Sequence, residues 1–193
     1  MNLLPIDNMT DYLNTGICPK NRIIHFERVS DEDDTSDVTA EKFAKQLFYL
    51  QSQSNAPITI YMKNEGGEVG AGLVIYNLIK MCPCRVTVVG LNSLSSMGSL
   101  ILQAADERKL LQDSYLMIHE GEVSYSSNHP KSVKRWIKLD EIQAERCRDI
   151  YLERIHEVDS SYSKKRLTNL MEHDTILSAE EAIELGLLDE IIG

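Results

Sequence analysis

Short β-branched segments alternate along this chain with segments of helical periodicity, and this alternation constrains the fold more than any other feature of the sequence. Residues 85–89 form a run rich in β-branched side chains, as in a strand that is buried on both faces of a sheet. Strands that are separated by helices return to the same edge of a sheet and therefore pair in parallel. The alternation predicts an α/β domain with a largely parallel sheet.

The individual elements follow from the periodicity and from residues typical of helix ends. Predicted strands cover residues 22–29, 57–62, 85–89, 109–111, 115–118 and 187–192. Predicted helices begin near Thr39, Val69, Met97, Pro130 and Lys165, and a last one begins at the capping-box pair Ser178 and Glu181. We expect a polar turn over residues 92–96, an N-terminal arm over residues 1–20 and a single domain over residues 21–193.

The composition limits the partners of this domain. Its 193 residues include 30 acidic and 20 basic side chains, and the formal net charge of −10 argues against nucleic acid, whose binding depends on Lys and Arg. No apolar run reaches the length of a membrane span, and the first residues lack the regions of a signal peptide. We therefore expect a cytoplasmic domain without nucleic-acid or membrane partners.

The four cysteines are unevenly spaced, which predicts reduced thiols in a cytosol-like compartment rather than a disulfide framework. Cys82 and Cys84 flank Pro83 and are the pair best suited to bind a metal. Because no second pair of Cys or His lies at zinc-like spacing, a buried corner between a helix and a strand explains this pair better. We expect neither a metal nor a cofactor.

The first segment suited to chemistry is the glycine pair Gly66 and Gly67, between a predicted strand and a predicted helix. Without a Cβ atom, such a pair lets backbone N–H groups approach an oxyanion or a substrate backbone closely. A phosphate cradle is a competing interpretation, although the dinucleotide and P-loop glycine patterns are absent from the sequence. An ordinary tight turn is the third interpretation.

Two further segments contain a serine and a histidine. Ser96 lies at a predicted helix start, where free N–H groups suit a nucleophile whose attack creates an oxyanion, but an N-cap also explains it. Leu94 disfavours the Gly-x-Ser-x-Gly elbow of α/β-hydrolases. His119 ends a predicted apolar strand and suits either a general base or a satisfied core histidine. His173 precedes Asp174 in a polar segment that has no predicted strand to hold it.

Four stretches, taken in order, resemble the ClpP family of serine peptidases, the proteolytic chambers of ATP-dependent proteases. The similarity runs from about residue 22 to residue 192, and the order and spacing of the stretches are specific, although each is short. They are residues 58–67 (ITIYMKNEGG), 95–98 (SSMG), 116–119 (LMIH), and 173–179 (HDTILSA) with 186–189 (GLLD). The resemblance implies a ClpP/crotonase-type α/β fold of repeated β-β-α units, with a protruding long-helix handle over about residues 130–158.

The resemblance also implies a catalytic site. Ser96 would be the nucleophile, His119 the general base and Asp174 the residue that orients the imidazole. The oxyanion donors would be the N–H groups of Gly67 and Met97.

The family further implies how substrates and partners are bound. An extended substrate would pair through its backbone beside Gly66 and beside a strand that follows the histidine. In this chain that strand would contain Glu122, Val123, Ser124 and Tyr125. The implied assembly is a homo-oligomer of stacked heptameric rings, a tetradecamer, which receives unfolded polypeptides from an AAA+ unfoldase ATPase.

The chain departs from the family pattern at two places beside the implied site. Glu65 stands where the family usually has proline, and Glu120-Gly121 stands where it usually has Gln-Pro. With Glu68 and Glu122, these carboxylates are candidate determinants of substrate choice. Three alternatives stay open: a non-catalytic ring subunit, a crotonase-type acyl-CoA enzyme, and a ClpP-like peptidase that cuts one assembly partner without an unfoldase.

Overall fold

The computed structural model describes residues 9–26, 35–121 and 129–193, which contain eight strands and seven helices. The strands are β1 (Ile17–Cys18), β2 (Ile23–Phe26), β3 (Ile58–Asn64), β4 (Val86–Ser95), β5 (Glu107–Leu111), β6 (Tyr115–Ile118), β7 (Thr175–Ser178) and β8 (Glu190–Ile192). The helices are α1 (Met9–Thr15), α2 (Asp37–Gln53), α3 (Val69–Lys80), α4 (Met97–Leu102), α5 (Pro130–Ile155), α6 (Lys164–Met171) and α7 (Ala179–Glu184).

The described strands form one sheet, in which most neighbours are parallel. The main path runs β1-β2-β3-β4-β5-β8, while β6 lies beside the second half of β4 and β7 lies beside β6. Within the described ranges, antiparallel pairing occurs at β1–β2 and at β6–β7. The predicted α/β class with a largely parallel sheet is therefore confirmed.

Helix α2 shows how the sequence builds the core beside this sheet. The side chain of Ser36 accepts a hydrogen bond from the N–H of Thr39 and so caps the first turn. Phe43, Leu47 and Leu50 then recur at intervals of three or four residues and are almost completely buried, against β2 and α3. A single amphipathic face thus joins the helix to the sheet.

Some element boundaries differ from the prediction because strand pairing extends beyond the β-branched runs. The sequence predicts a turn over residues 92–96, but β4 continues to Ser95 because its last residues pair with β6. No strand is predicted over residues 175–178, yet they form β7, antiparallel to β6. Residues 9–18, predicted as irregular, contain α1 and β1. The predicted capping box of Ser178 and Glu181 is confirmed in both directions.

Helix α5 extends over 26 residues and begins at Pro130, where the sequence predicts its start. Its C-terminal end is buried through Ile150, Tyr151 and Ile155, whereas earlier turns leave large apolar side chains exposed. The exposed side chains are Trp136, Ile137, Leu139 and Ile142. Such an apolar face is typical of an interaction surface. No helix in the described ranges is both long enough and apolar enough to cross a membrane.

The guanidinium of Arg108 ties β5 to the segment that leads into β8. It is almost completely buried and donates hydrogen bonds to the Asp189 carboxylate at 2.9 Å and to the carbonyl of Gly186 at 2.8 Å. Partial burial alone would raise the pKa of the Asp189 carboxyl, but the hydrogen bonds from Arg108 hold this pKa below its ordinary value. The pair therefore stabilises the folded state only while Asp189 is ionised.

Replacing Asp189 with Asn should weaken the fold most at neutral pH. A carboxyl whose pKa falls on folding stabilises the protein above its unfolded pKa of about 4, and this contribution is lost as the pH drops through the folded pKa. We expect Asp189→Asn to lower the free energy of unfolding by about 1–3 kcal/mol at pH 7, and by less as the pH approaches 3. Denaturant unfolding measures this, with the exposed-turn variant Asp113→Asn as control. An equal loss at both pH values would contradict the prediction.

Candidate active site

Three strand ends meet at one edge of the sheet. Strands β4 and β6 are parallel, and β7 is antiparallel to β6, so the ends of β4 and β6 lie beside the beginning of β7. Ser96 follows β4, His119 follows β6, and Asp174 precedes β7. The strand register thus brings together three residues that are widely separated in the sequence.

His119 is hydrogen-bonded at both ring nitrogens. Its Nε2 lies 2.8 Å from Oγ of Ser96, and its Nδ1 lies 2.9 Å from Oδ1 of Asp174. Because an ionised carboxylate can only accept, the Nδ1 of the neutral ring carries the proton and Nε2 accepts from the Ser96 hydroxyl. The side chain of His119 is 25% exposed, so this histidine is open to solvent and reagents. The arrangement is suited to withdrawing a proton from the serine.

Ser96 adopts a backbone conformation that is rare for residues other than glycine. Its φ is 52° and its ψ is −121°, in the turn between β4 and α4. Ser96 occupies the N-cap position of α4, but its side chain accepts no hydrogen bond from the helix. The hydroxyl is instead bonded to His119. A strained turn therefore presents this serine although the Gly-x-Ser-x-Gly pattern is absent.

The glycine turn after β3 packs directly against Ser96. Gly66 and Gly67 have φ values of 104° and 140°, and a Cβ atom on Gly66 would lie 2.7 Å from the Cβ of Ser96. Thr35 forms a parallel bridge with Gly67: its N–H donates to the carbonyl of Gly66, and its carbonyl accepts from the N–H of Glu68, both at 2.8 Å. In such a bridge the N–H of Gly67 itself is directed to the side opposite Thr35.

Met97 provides a second backbone N–H group beside Ser96. It is the first residue of α4, and the N–H groups of a first helical turn have no partner within the helix. Gly67 and Met97 both line the cavity that contains Ser96. The close approach of α4 to β3 requires Gly98, since a Cβ atom there would overlap the backbone oxygen of Asn64. The arrangement is suited to stabilising a developing oxyanion with two backbone donors.

Two buried hydroxyl groups support the turn at Ser96 from the protein interior. The Oγ of Ser99 lies 2.7 Å from the hydroxyl of Tyr151, 2.8 Å from the carbonyl oxygen of Ser96 and 3.0 Å from that of Met117. The carbonyl of Met117 also accepts the N–H of Ser96 at 2.8 Å. Burial raises the pKa of Tyr151 far above its ordinary value, so its hydroxyl keeps its proton. These contacts join α5 to the strained backbone of Ser96.

The two carboxylates at positions that depart from the family pattern are held by neighbouring side chains. Glu65 accepts hydrogen bonds from the hydroxyls of Ser93 and, at 3.3 Å, of Ser95. Glu120 forms an ion pair with Arg148 of α5, with 2.6 Å between Oε1 and Nη1. Both carboxylates thus have defined positions near the proposed nucleophile.

A cavity of about 150 Å³ lies between the turn at Ser96 and α5. Its apolar lining includes Val69, Leu100, Cys147 and Met171. Among the described residues, its ionisable side chains other than thiols and tyrosine hydroxyls are His119, Glu120, Asp140 and Arg148. Gly66 lies beside Ser96, but residues 122–125, which the sequence predicts to bind substrate, lie outside the described residues.

Sequence reasoning did not identify the residues that support Ser96 and the glycine turn. Ser99 and Tyr151 are polar-tipped residues in predicted apolar helices, and this pattern is a usable signal for a buried hydrogen bond. Thr35 lies within the acidic segment of residues 30–37, whose composition predicts a solvated loop, so its bridge to Gly67 has no local signal.

The cysteine pair shows no metal geometry within the described ranges. Cys84 is buried and Cys82 is half-buried, and both are free thiols at the corner between α3 and β4. No set of three or more His, Cys, Asp or Glu in the described part of the chain is arranged to hold a metal ion.

Comparison with known proteins adds to this geometry. The model of the Clp protease family matches residues 15–193. The ATP-dependent Clp protease proteolytic subunit of Deinococcus radiodurans is 33% identical over 156 residues, which are 79% of this chain and 74% of that protein. The subunit with the same name from Bdellovibrio bacteriovorus is 30% identical over 169 residues, 82% of this chain and 74% of that protein.

A solved structure agrees with these sequence matches. A ClpP1 mutant from Listeria monocytogenes superposes with a TM-score of 0.75 and 29% sequence identity, covering 90% of this chain and 92% of the other. The parallel sheet and this superposition show that the chain has the ClpP fold. The chain belongs to the Clp protease family and is a Clp-type peptidase.

Removing the hydroxyl of Tyr151 should slow the chemistry of Ser96 without unfolding the protein. In Tyr151→Phe, Ser99 loses a buried partner and the Ser96 turn is less well held, and small displacements at a reacting centre have large effects on rate. We expect the reaction of Ser96 with a fluorophosphonate to slow about tenfold. Rates of labelling and thermal melts measure this, with Tyr76→Phe, another buried tyrosine, as control. Labelling of Tyr151→Phe at the wild-type rate would contradict the prediction.

Proposed function

We propose that this Clp-type peptidase is a serine endopeptidase that hydrolyses peptide bonds of unfolded polypeptides through Ser96, His119 and Asp174. The observation that carries the proposal is the position of His119, 2.8 Å from the serine hydroxyl and 2.9 Å from the aspartate carboxylate. These distances lie within the hydrogen-bond range that proton transfer requires.

In the proposed mechanism, Nε2 of His119 takes the proton of the Ser96 hydroxyl while Oγ attacks the peptide carbonyl carbon. The carbonyl π electrons move to the oxygen, and the resulting oxyanion accepts hydrogen bonds from the N–H groups of Gly67 and Met97. His119 then gives its proton to the leaving amine as the C–N bond breaks, which leaves an acyl-serine. Asp174 keeps the ring in the reactive tautomer and stabilises the imidazolium. Water, activated by His119, hydrolyses the ester.

The proposed substrate is an extended chain that pairs through its backbone. One edge of the glycine turn is occupied, because Thr35 bonds to Gly66 and Glu68. A substrate strand would bind on the opposite edge, toward which Gly67 directs its N–H. Residues 122–125 would provide a second strand beside it. Recognition of this kind depends little on substrate side chains.

We propose that residues 21–193 form one peptidase domain, that residues 1–20 form an N-terminal arm, and that the domain assembles into stacked rings. The exposed apolar face of α5 supports this assembly, because water contact with its large apolar side chains is unfavourable. The names of the two bacterial relatives describe proteolytic subunits of ATP-dependent proteases. A partner Clp ATPase of the AAA+ class, which delivers unfolded chains in a cytoplasmic compartment, therefore belongs to the proposal.

Replacing Ser96 with Ala should abolish peptide hydrolysis. The oxygen nucleophile is then missing, and the background rate left by positioning and backbone donors lies orders of magnitude below that of the intact triad. We expect a fluorophosphonate to form one covalent adduct with wild type, located at Ser96 by mass spectrometry, and none with Ser96→Ala. Ser93→Ala, which changes a buried serine of β4, is the control. Unchanged hydrolysis by Ser96→Ala would refute the mechanism.

Charges placed on the exposed face of α5 should prevent assembly. In a Trp136→Glu, Ile142→Glu variant, burial of two carboxylates opposes the contact, and we expect a smaller particle by sedimentation. Lys138→Glu, also exposed on α5, is the control. With a Clp ATPase and ATP, wild type should degrade a folded, tagged substrate and the double variant should not. Assembly of the double variant to the wild-type size would contradict the handle role. Peptidase activity that the ATPase never stimulates would favour the alternative without an unfoldase.

A further inference from the structure

The peptide group between Gly66 and Gly67 carries one of the two proposed oxyanion donors. Because neither residue has a Cβ atom, this peptide can rotate at little steric cost. A trans peptide is planar, so its carbonyl and its N–H point in opposite directions. A rotation by half a turn would replace the donor with a carbonyl oxygen, which repels an oxyanion. The orientation of this one group therefore has to be fixed by its surroundings.

Thr35 holds the carbonyl end of this peptide. Its backbone N–H donates to the carbonyl oxygen of Gly66 at 2.8 Å, which places the N–H of Gly67 on the side opposite Thr35. The carbonyl of Thr35 accepts from the N–H of Glu68, also at 2.8 Å, and so fixes the peptide that follows. Thr35 is completely buried, so water does not compete for these hydrogen bonds.

Asn64 holds the peptide that precedes Gly66. Its Oδ1 accepts hydrogen bonds from the N–H of Gly66 at 2.8 Å and from the hydroxyl of Thr35 at 3.0 Å. Because a backbone N–H can only donate, the atom of the amide that faces Gly66 is the oxygen. A single acceptor thus links the side chain of Thr35 to the glycine turn.

The other end of the Asn64 amide shows that its oxygen is the atom that matters. The side chain is completely buried, and its Nδ2 has no hydrogen-bond partner among the described residues. An unpaired buried donor is unfavourable and rare in folded proteins. A Cβ atom on Gly98 would lie 2.9 Å from Oδ1, so α4 leaves the amide little room to move. Leucine would fill a similar space but would leave the N–H of Gly66 without its acceptor.

We propose that Thr35 and Asn64 are positioning residues of the peptidase, which fix the Gly66–Gly67 peptide with its N–H directed at the carbonyl oxygen of the substrate. Three consecutive peptide groups are held, and the middle one carries the donor. The pair itself contacts no reacting atom and moves no proton. The inference rests on the proposed function, because it requires an oxyanion formed by the attack of Ser96.

Substitutions at both positions test this role in the hydrolysis of a small ester. Thr35→Val removes the hydroxyl at nearly constant shape, and we expect kcat to fall about tenfold with little change in KM, because the Gly67 donor acts in the transition state. Asn64→Leu removes the acceptor itself and should lower kcat about a hundredfold. Thr35→Ser keeps the hydroxyl and should restore most of kcat. Thr87→Val, which breaks a threonine hydrogen bond to Glu107 elsewhere on β4, is the matched control and should leave kcat unchanged.

A second measurement separates an effect on the oxyanion donor from a general loosening of the fold. Sulfur is a weak hydrogen-bond acceptor, so wild type should hydrolyse the ester much faster than its thionoester, in which sulfur replaces the carbonyl oxygen. This preference should shrink about tenfold in Thr35→Val, because the lost stabilisation concerns the oxygen substrate, and should persist in Thr35→Ser. A merely structural role would lower the fraction of Ser96 that a fluorophosphonate labels and leave the preference unchanged.

The outcomes distinguish this inference from the function on which it depends. Thr35→Val with the kcat and the ester preference of wild type would overturn the inference and leave the serine mechanism intact. A loss in Thr35→Ser as large as that in Thr35→Val would overturn the role of the hydroxyl. If Asn64→Leu does not fold, the two Thr35 variants decide the result. A wild-type protein that hydrolyses neither ester and does not react at Ser96 would overturn the proposed function and this inference with it.

Discussion

The change of neighbour along β4 is the constraint on which the rest of the site depends. The first half of this strand pairs with β5 and the second half with β6, so β6 begins where β5 has ended. Gly90 lies near this change, where a Cβ atom would overlap the side chain of Leu110. Because β6 also pairs with β7, one strand positions both the histidine and the aspartate relative to the serine.

The strained backbone of Ser96 persists because hydrogen bonds and packing from neighbouring segments hold it. A non-glycine residue in such a conformation costs about 1–3 kcal/mol. The N–H of Ser96 donates to Met117, its carbonyl accepts from Ser99, and Gly66 leaves the space that its Cβ requires. These contacts offset the strain and leave the hydroxyl directed at His119 rather than at the helix.

Helix α5 connects the surface of the domain with the cavity. Its buried end contributes Tyr151, which contacts Ser99, and the preceding turn contributes Arg148, which binds the residue that follows His119, Glu120. Its exposed part displays an apolar face. A displacement of α5 would therefore move both the hydroxyl that contacts Ser99 and the guanidinium that binds Glu120.

Local patterns were enough to predict the α/β class, because alternating short strands and amphipathic helices have few other ways to bury their apolar faces. The resemblance to the ClpP family pointed to Ser96, His119 and Asp174, whose side chains lie within hydrogen-bond distance of one another in the structure; their catalytic roles stay a proposal. The last residues of β4 were not predicted as a strand because most of them are polar, and residues 175–178 were not predicted as one although Thr175 and Ile176 favour strands. Pairing with β6 decides the conformation of both segments. Contacts such as Ser99 with Tyr151, which are 52 residues apart, were decided by tertiary packing alone. The periodicity of a sequence does not determine which side chains come into contact when a helix packs against a sheet.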